Sequence, residues 1–315
     1  MLTKCVRYKL NYNLVPLLHY RAMKKKITFI FLLMVSQCVF SQCIEGDCFN
    51  GYGKFSCDCG YVFEGDFVNG KRVTGTLTKS DLVYTGEFLF DLAHGFGKIV
   101  YQDSSWYEGT FQENVPTGYG TYFLTSTQKY IGEIENSEFR GLGTLLFTEL
   151  NGQFTQIEMG QFKNDLLDGV GFKKGVSGDY YLGFYDQGQK HGFGVKYSSK
   201  LQTIEAGEYK KKGFSLTEVK TGQKEKSDFF ITEYKMKKNQ YSFQANKEGS
   251  FIKMERQFMG VLDLIIIFTD DMLYLSSKEN LLTGKVINEK GELFDAVLNS
   301  IDFEQIVLTH QLYGR

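Results

Sequence analysis

The chain has 315 residues, a formal net charge of −1, 34 glycines, two prolines and 16% aromatic residues. Many glycines and aromatics with so few prolines suit a β-rich protein, and the length holds a repeat array plus one small domain. Charge is uneven, with seven basic and no acidic residues in 1–43 but 11 basic against 20 acidic in 44–195, which argues against nucleic acid as a partner.

Residues 1–22 read as an upstream extension ahead of a second methionine, Met23. From there Lys24-Lys25-Lys26, an apolar run from Ile27 to Val35 and the small-residue stretch Val39-Phe40-Ser41 follow the order of a secretory signal peptide. The apolar run is too short to span a bilayer, which needs about 20 residues. Residues 23–41 are therefore expected to be removed by cleavage after Ser41, leaving a mature protein in the periplasm, the envelope or the extracellular space. Lipid anchoring at Cys43 is disfavoured, because Ser41-Gln42 is a poor lipobox.

Residues 42–60 form a Cys-rich cap around a half-repeat, Asn50-Gly51-Tyr52-Gly53. Cys43, Cys48, Cys57 and Cys59 make an even count in an exported chain, which points to two disulfides with three possible pairings. Cys57 and Cys59 lie two apart on an expected strand, so each is expected to pair elsewhere. Zinc is the rival reading, but Cys57-x-Cys59 is too close for the usual ligand spacing. A capped end would protect an open sheet edge.

Over 61–214 one phrase recurs: aromatic-x-Gly-x-aromatic, a turn, then Gly-x-Gly. Its copies are Tyr84-x-Gly86-x-Phe88 with Gly95-x-Gly97, Tyr107-x-Gly109-x-Phe111 with Gly118-x-Gly120, and Tyr130-x-Gly132 with Gly141-x-Gly143. Gly160-x-Phe162 with Gly169-x-Gly171 and Tyr181-x-Gly183-x-Tyr185 with Gly192-x-Gly194 continue it. The first glycines fall at 65, 86, 109, 132, 160, 183 and 207. The short first step reflects a damaged copy around Lys71–Gly75, and the long fourth step an enlarged loop at 148–156. Alternation places both aromatics and the intervening glycine on one face of a strand. Each unit is then a β-hairpin, marginal alone and stabilised by stacking on its neighbours. The glycine is expected to let a bulky side chain from the next hairpin lie across it, and the Gly-x-Gly to close the turn with positive φ.

This phrase resembles the MORN repeat, Tyr-x-Gly-x-Trp-x-x-Gly-x-x-His-Gly-x-Gly, over about residues 43–214. Phenylalanine, tyrosine or Ile134 stands at the Trp position, and Glu158 and Glu205 replace two tyrosines. The resemblance implies a mainly β, elongated single-layer array of stacked hairpins. It also implies association with proteins, often including self-association; the motifs themselves give no reason to expect catalysis or a cofactor. His94 and His191 sit at the repeat's own His-Gly position and read as structural. No Ser-His-Asp or Cys-His arrangement is visible, and no Gly-x-Gly-x-x-Gly or Gly-Lys-Ser/Thr follows to make a phosphate loop.

The last copy, Glu205 to Tyr209, lacks its Gly-x-Gly and reads as a terminal unit. Lys210-Lys211-Lys212 after it offers a possible contact for a partner or an anionic lipid surface, the alternative function. Residues 215–228 read as a polar linker. Residues 229–315 read as a small β-rich or α+β domain packed on the last hairpin, with a buried strand at 261–268. Phe294, Val297, Leu298 and Ile301 have helical spacing and predict a short helix over 292–301. Asp270-Asp271 reads as a solvated turn. An enzyme site in 229–315 would need a convergent acid–base pair, and none is evident. The leading reading is a non-catalytic scaffold or protein-binding repeat protein, with no small-molecule substrate evident.

Overall fold

A computed structural model of the chain describes residues 41–58, 60–201, 203–210, 213–216, 229–236, 238–246, 250–269, 272–276, 280–281, 283–298 and 306–313. The upstream extension, the signal segment up to Phe40, Cys59, Lys211, Lys212, Asp270, Asp271 and residues 217–228 lie outside them. The described elements are all strands, in two sheets.

The first sheet is a 16-stranded meander in sequence order. Its opening strands are β1 (Ser41–Gly46), β2 (Gly51–Cys57), β3 (Tyr61–Val68), β4 (Lys71–Lys79), β5 (Leu82–Leu89) and β6 (Leu92–Tyr101). β7 (Trp106–Gln112), β8 (Val115–Thr125), β9 (Gln128–Glu135), β10 (Glu138–Thr148) and β11 (Phe154–Lys163) continue it. It ends with β12 (Leu166–Gly175), β13 (Tyr180–Asp186), β14 (Gln189–Ser198), β15 (Thr203–Lys210) and β16 (Gly213–Leu216). The expected linker thus gives its first two residues to β16.

Glycines face glycines across this sheet. Gly53 pairs with Gly65, Gly65 with Gly75 and Gly75 with Gly86. The row continues through Gly97, Gly109, Gly120, Gly132 and Gly143, then Gly160, Gly171, Gly183, Gly194 and Gly207. A Cβ on Gly109 would lie 2.4 Å from the Tyr107 hydroxyl oxygen and 2.7 Å from the Gly120 Cα. The row is therefore a trough floored by backbone, and Tyr84, Tyr107, Tyr130 and Tyr181, each two residues before a glycine of the row, lie in it. In these four units the ring comes from the glycine's own strand and not, as expected, from the next hairpin, whereas at Gly171 the ring of Tyr185 from the next hairpin does approach. Each phenol is anchored three residues on: Tyr84 donates to the Glu87 carbonyl (2.9 Å), Tyr107 to Thr110 (3.0 Å), Tyr130 to Glu133 (2.9 Å) and Tyr181 to Phe184 (3.4 Å). Burial pushes the Tyr130 phenol well above its ordinary pKa, so it remains a donor.

The second aromatic of each unit joins these rings edge to face. Phe63 meets Phe67 and Phe88, and Tyr84 meets Phe88 and Phe111, all with centroids 5.0–5.3 Å apart. Tyr130 meets Phe162 at 5.3 Å. Burying such a ring is worth roughly 4–6 kcal/mol before entropy.

The Gly-x-Gly lies inside the second strand, not in the turn. Gly95, Gly118 and Gly141 have φ of 66°, 71° and 72°, at the register shifts of their strands. The turns are two residues with positive φ at both, such as Glu113-Asn114 and Asn164-Asp165, the type I′ geometry that matches strand twist. Their second residues clasp the hairpin before. Asn114 Oδ1 accepts from the Ala93 amide (2.8 Å) while the Asn114 amide donates to the Ala93 carbonyl (2.9 Å). Asp165 Oδ1 accepts from the Phe139 amide in the same way (2.8 Å).

The second sheet has eight strands in sequence order: β17 (Phe229–Met236), β18 (Asn239–Asn246), β19 (Phe251–Phe258), β20 (Val261–Thr269), β21 (Met272–Ser276), β22 (Thr283–Asn288), β23 (Leu293–Leu298) and β24 (Ile306–Tyr313). The buried strand expected at 261–268 is β20. The helix expected over 292–301 is absent from its described part, where Leu293–Leu298 is a strand between β22 and β24. Two strand partners satisfy its backbone, which the local apolar spacing could not report.

Cys43 and Cys48 form a disulfide with Cα atoms 5.8 Å apart. Neither is then available to Cys57 or Cys59, against expectation. Cys57 is itself disulfide-bonded.

Phe111 is 2% exposed within the ring ladder, whereas Phe96, on the opposite face, is 56% exposed. Phe111→Ala should lower the unfolding free energy by about 3–5 kcal/mol and Phe96→Ala by at most about 0.5 kcal/mol. Denaturant titrations of both variants check this, and equal effects would contradict the two-faced sheet.

Candidate binding surface

The two faces of the array have different fates. The ladder face is built alike in most hairpins. The other face is set by the residue between the tyrosine position and its glycine: Glu64, Thr85 and Glu108, then Ile131, Met159, Leu182 and Ala206. The first three are polar and at least partly exposed, whereas the last four are buried. The residue inside Gly-x-Gly changes in step, from exposed Phe96 and half-buried Tyr119 to buried Leu142, Val170 and Phe193.

The second sheet covers that apolar part. Phe268 stacks on Phe172 at 4.3 Å, and Tyr241 on Phe193 at 4.7 Å. Ile157, Met159, Leu182 and Val195 share one buried cluster with Ala245, Ile252, Met254 and Ile266. The turn between β22 and β23 locks the seam. Thr144 Oγ1 donates to the Asn288 carbonyl (2.9 Å), Tyr119 donates to the Gly291 carbonyl, and Lys174 pairs with Glu289 at 3.3 Å. The second sheet therefore sits across the later hairpins of the array, not on the last hairpin alone. The switch from polar to apolar at one repeat position was the sequence signal for this docking.

The face left uncovered runs over β3–β8. It carries Thr76 and Thr85 with hydroxyls 3.0 Å apart, Lys98 paired with Glu108 at 3.0 Å, and the sole tryptophan. Trp106 stacks on Phe123 at 5.7 Å, and the Lys98 ammonium lies 4.2 Å from the Trp106 ring centroid. Exposed pairs of this kind contribute about 0–1 kcal/mol each. They shape the surface more than they hold the sheet.

The remaining expected site residues fall outside this face. Lys210 is exposed and pairs with Glu208 at 2.9 Å. His94 and His191 lie on β6 and β14, not in turns. An open cleft of about 670 Å³ at the seam was not foreseen; it mixes Glu133, Glu135 and Asp168 with Arg140, Lys163 and Lys285. Arg140 pairs with Glu135 at 2.6 Å and Lys285 with Glu133 at 3.6 Å.

At the N-terminal end, Arg72 takes the ladder position opposite Phe67. Its guanidinium carbon lies 5.1 Å from the Phe88 ring centroid, and Asp91 from the next turn accepts from its amide and Nε. Burial opposes ionisation of Asp91, but the Lys71 hydrogen bond and the Arg72 amide and charge outweigh it and hold its carboxyl below the usual range.

Asp91→Asn should cost about 1–2 kcal/mol at neutral pH. Because the folded pKa is depressed, this stability is present above the unfolded value near ~4 and is lost as pH falls through the folded value. Melting curves of both proteins should therefore converge in acid, and a gap that is constant with pH would remove the charge from the account. At the seam, Gly291 has a φ of 78°, and a Cβ there would lie 2.4 Å from the Ile131 Cβ. Gly291→Val should raise hydrogen exchange in β20–β22 at least about tenfold while β3–β8 keep their protection.

Comparison with protein families agrees with the geometry. The MORN repeat model matches residues 63–81, 84–106, 107–126, 159–180 and 181–200. No curated protein matches the sequence. The hairpin β9–β10 lies between the matched segments, yet its glycines keep the row unbroken. MORN repeats are binding modules for proteins or lipids, a non-enzymatic family. Residues 63–200 of this chain hold five MORN repeats.

Proposed function

We propose that this is an exported, non-catalytic scaffold that binds a protein partner through the uncovered face of β3–β8. The observation that carries the reading is the asymmetry of the array. One sheet face is apolar and covered by the chain's own second sheet from Ile131 onward, while the same face before it stays polar, aromatic and open. Aromatic side chains amid threonines and paired charges are the composition of a protein-binding surface with a polar rim. The Cys43–Cys48 disulfide suits an oxidising compartment and supports export.

A photoreactive residue at Thr85 or Phe96, introduced in intact cells, should give one discrete protein adduct that excess unlabelled protein competes away. The same residue at Lys163, exposed beside a hairpin turn, should give none. Absence of an adduct at both open-face positions would refute the reading. The exported protein should begin at Gln42, and a mature N-terminus before Lys24 would refute the export signal.

A further inference from the structure

A second polarity switch runs along the turn edge of the array, opposite in sense to the one that seats the second sheet. Two-residue turns stand side by side there, and the first residue of each has positive φ: Asn69, Phe90, Glu113, Asn136, Asn164 and Gln187. All but one are polar. Phe90 has a φ of 51° and is 79% exposed. A bulky residue seldom adopts this backbone conformation, and here its ring gains no burial in return. The residue before each turn switches too. It is Val68 and Leu89 at the β3–β4 and β5–β6 turns, then Gln112, Glu135, Lys163 and Asp186.

Val68 and Leu89 alternate with buried Phe67 and Phe88, so they lie on the uncovered face. The turns beside them abut. The Gly70 amide donates to the Phe49 carbonyl (2.9 Å), a Cβ on Gly70 would lie 3.3 Å from the Phe49 ring, and Asp91 pairs with Lys71 at 2.8 Å. Phe49, Val68, Leu89 and Phe90 thus form an apolar margin, each 46–79% exposed, which exposed Tyr52 and Phe96 continue onto the face. Between Tyr52 and Phe96 the strands bring Asp66, Thr74 and Glu87 side by side. Asp66 accepts from the Thr74 hydroxyl (2.9 Å) and Glu87 from the Phe96 amide (3.2 Å). Among the described residues neither carboxylate pairs with a lysine or arginine.

We propose that this margin and the two carboxylates seat a basic amphipathic segment of the partner protein. Its apolar side chains would cover Phe49, Leu89 and Phe90, and its lysines or arginines would pair with Asp66 and Glu87. Charge complementarity selects this occupant. The cations beside the margin are already committed, Lys71 to Asp91 and Lys54 to Glu64 at 3.3 Å, so two carboxylates are left to face an incoming cation. The same carboxylates disfavour an anionic lipid surface, which attracts lysine and arginine. Exposed aromatic and aliphatic side chains gathered where the other units are polar mark a surface that a partner covers. The inference rests on the protein-binding reading and gives that partner's chemistry.

The test places a photoreactive residue at Thr74 of the full chain in intact cells and sequences the captured segment. That segment should carry apolar side chains and a net positive charge. Synthesised with blocked ends, it should bind the double variant Leu89→Gln, Phe90→Asn about tenfold more weakly than the unaltered chain. The Tm of this variant should be unchanged or higher, because asparagine adopts the left-handed turn conformation more readily than phenylalanine. Asp66→Asn with Glu87→Gln should weaken binding about fivefold, and the difference should shrink in high salt. A neutral or acidic captured segment, equal affinity for the Leu89→Gln, Phe90→Asn variant, or capture of a second copy of this chain would overturn the inference. Sedimentation with phosphatidylglycerol vesicles that this variant abolishes would overturn it in favour of a lipid surface. In the first three cases a competed protein adduct at Thr85 or Phe96 leaves the protein-binding reading standing. No adduct at Thr74, Thr85 or Phe96 removes that reading and this inference together.

Discussion

The structure depends on one steric condition: a tyrosine ring lying on bare backbone. The ring needs a floor without Cβ atoms, so each strand must bring a glycine opposite the glycines of both neighbours. The floor spans β2 to β15. A slip of one residue would put a side chain under the ring and turn the ladder to solvent. The phenol bond to the carbonyl three residues on then fixes the ring along its own strand. Spacing between units can vary as long as the row closes. The turn between β10 and β11 is long, yet Gly143 still meets Gly160. Where Glu158 replaces the tyrosine, the ring of Tyr185 approaches Gly171 instead.

Because the ladder uses one face, the other is free to vary. Up to β8 it is polar enough to stay in water. From Ile131 onward it is not, and a single layer with two apolar faces needs a cover. The second sheet supplies it by folding back over the array, and the β22–β23 turn keys into the gap beside Ile131 and Thr144. The cover and the open face are therefore two outcomes of one choice, made at the residue between tyrosine and glycine.

Much of this was legible in the sequence. Period-2 alternation and recurring glycines give the hairpins and the face that carries the rings. What failed were contacts that depend on partners distant in the chain. Whether a ring covers its own glycine or a neighbour's depends on rotamer and twist, which spacing does not encode. Phe294, Val297 and Leu298 fit a helix as well as a strand until β22 and β24 claim their backbone. The two residues of β16 beyond Phe214 look like linker because the pairing that orders them is to Glu208 and Gly207. The polarity switch from Glu108 to Ile131 was readable, and it is a better guide to domain docking than the composition of the domain itself.

The repeats are mechanically equivalent but not chemically so. Every unit must supply the glycine, most supply the ring, and turn residues such as Asn114 and Asp165 close the clasp; these positions are spent on the fold. Variation is tolerated where a side chain reaches neither the trough nor the clasp, or where a neighbour compensates. Opposite the second aromatic the chain places Arg72, Ala93, Pro116, Phe139, Leu167 and Lys190 in turn. Apolar residues fill the middle of the array, where rings close in from both sides. Cations occur toward its ends, where an ammonium or guanidinium can lie over a ring and still meet water. At the N-terminal end the next turn answers the cation with Asp91. A fold that needs only a partner for its rings is satisfied by an apolar side chain or by a cation at this position.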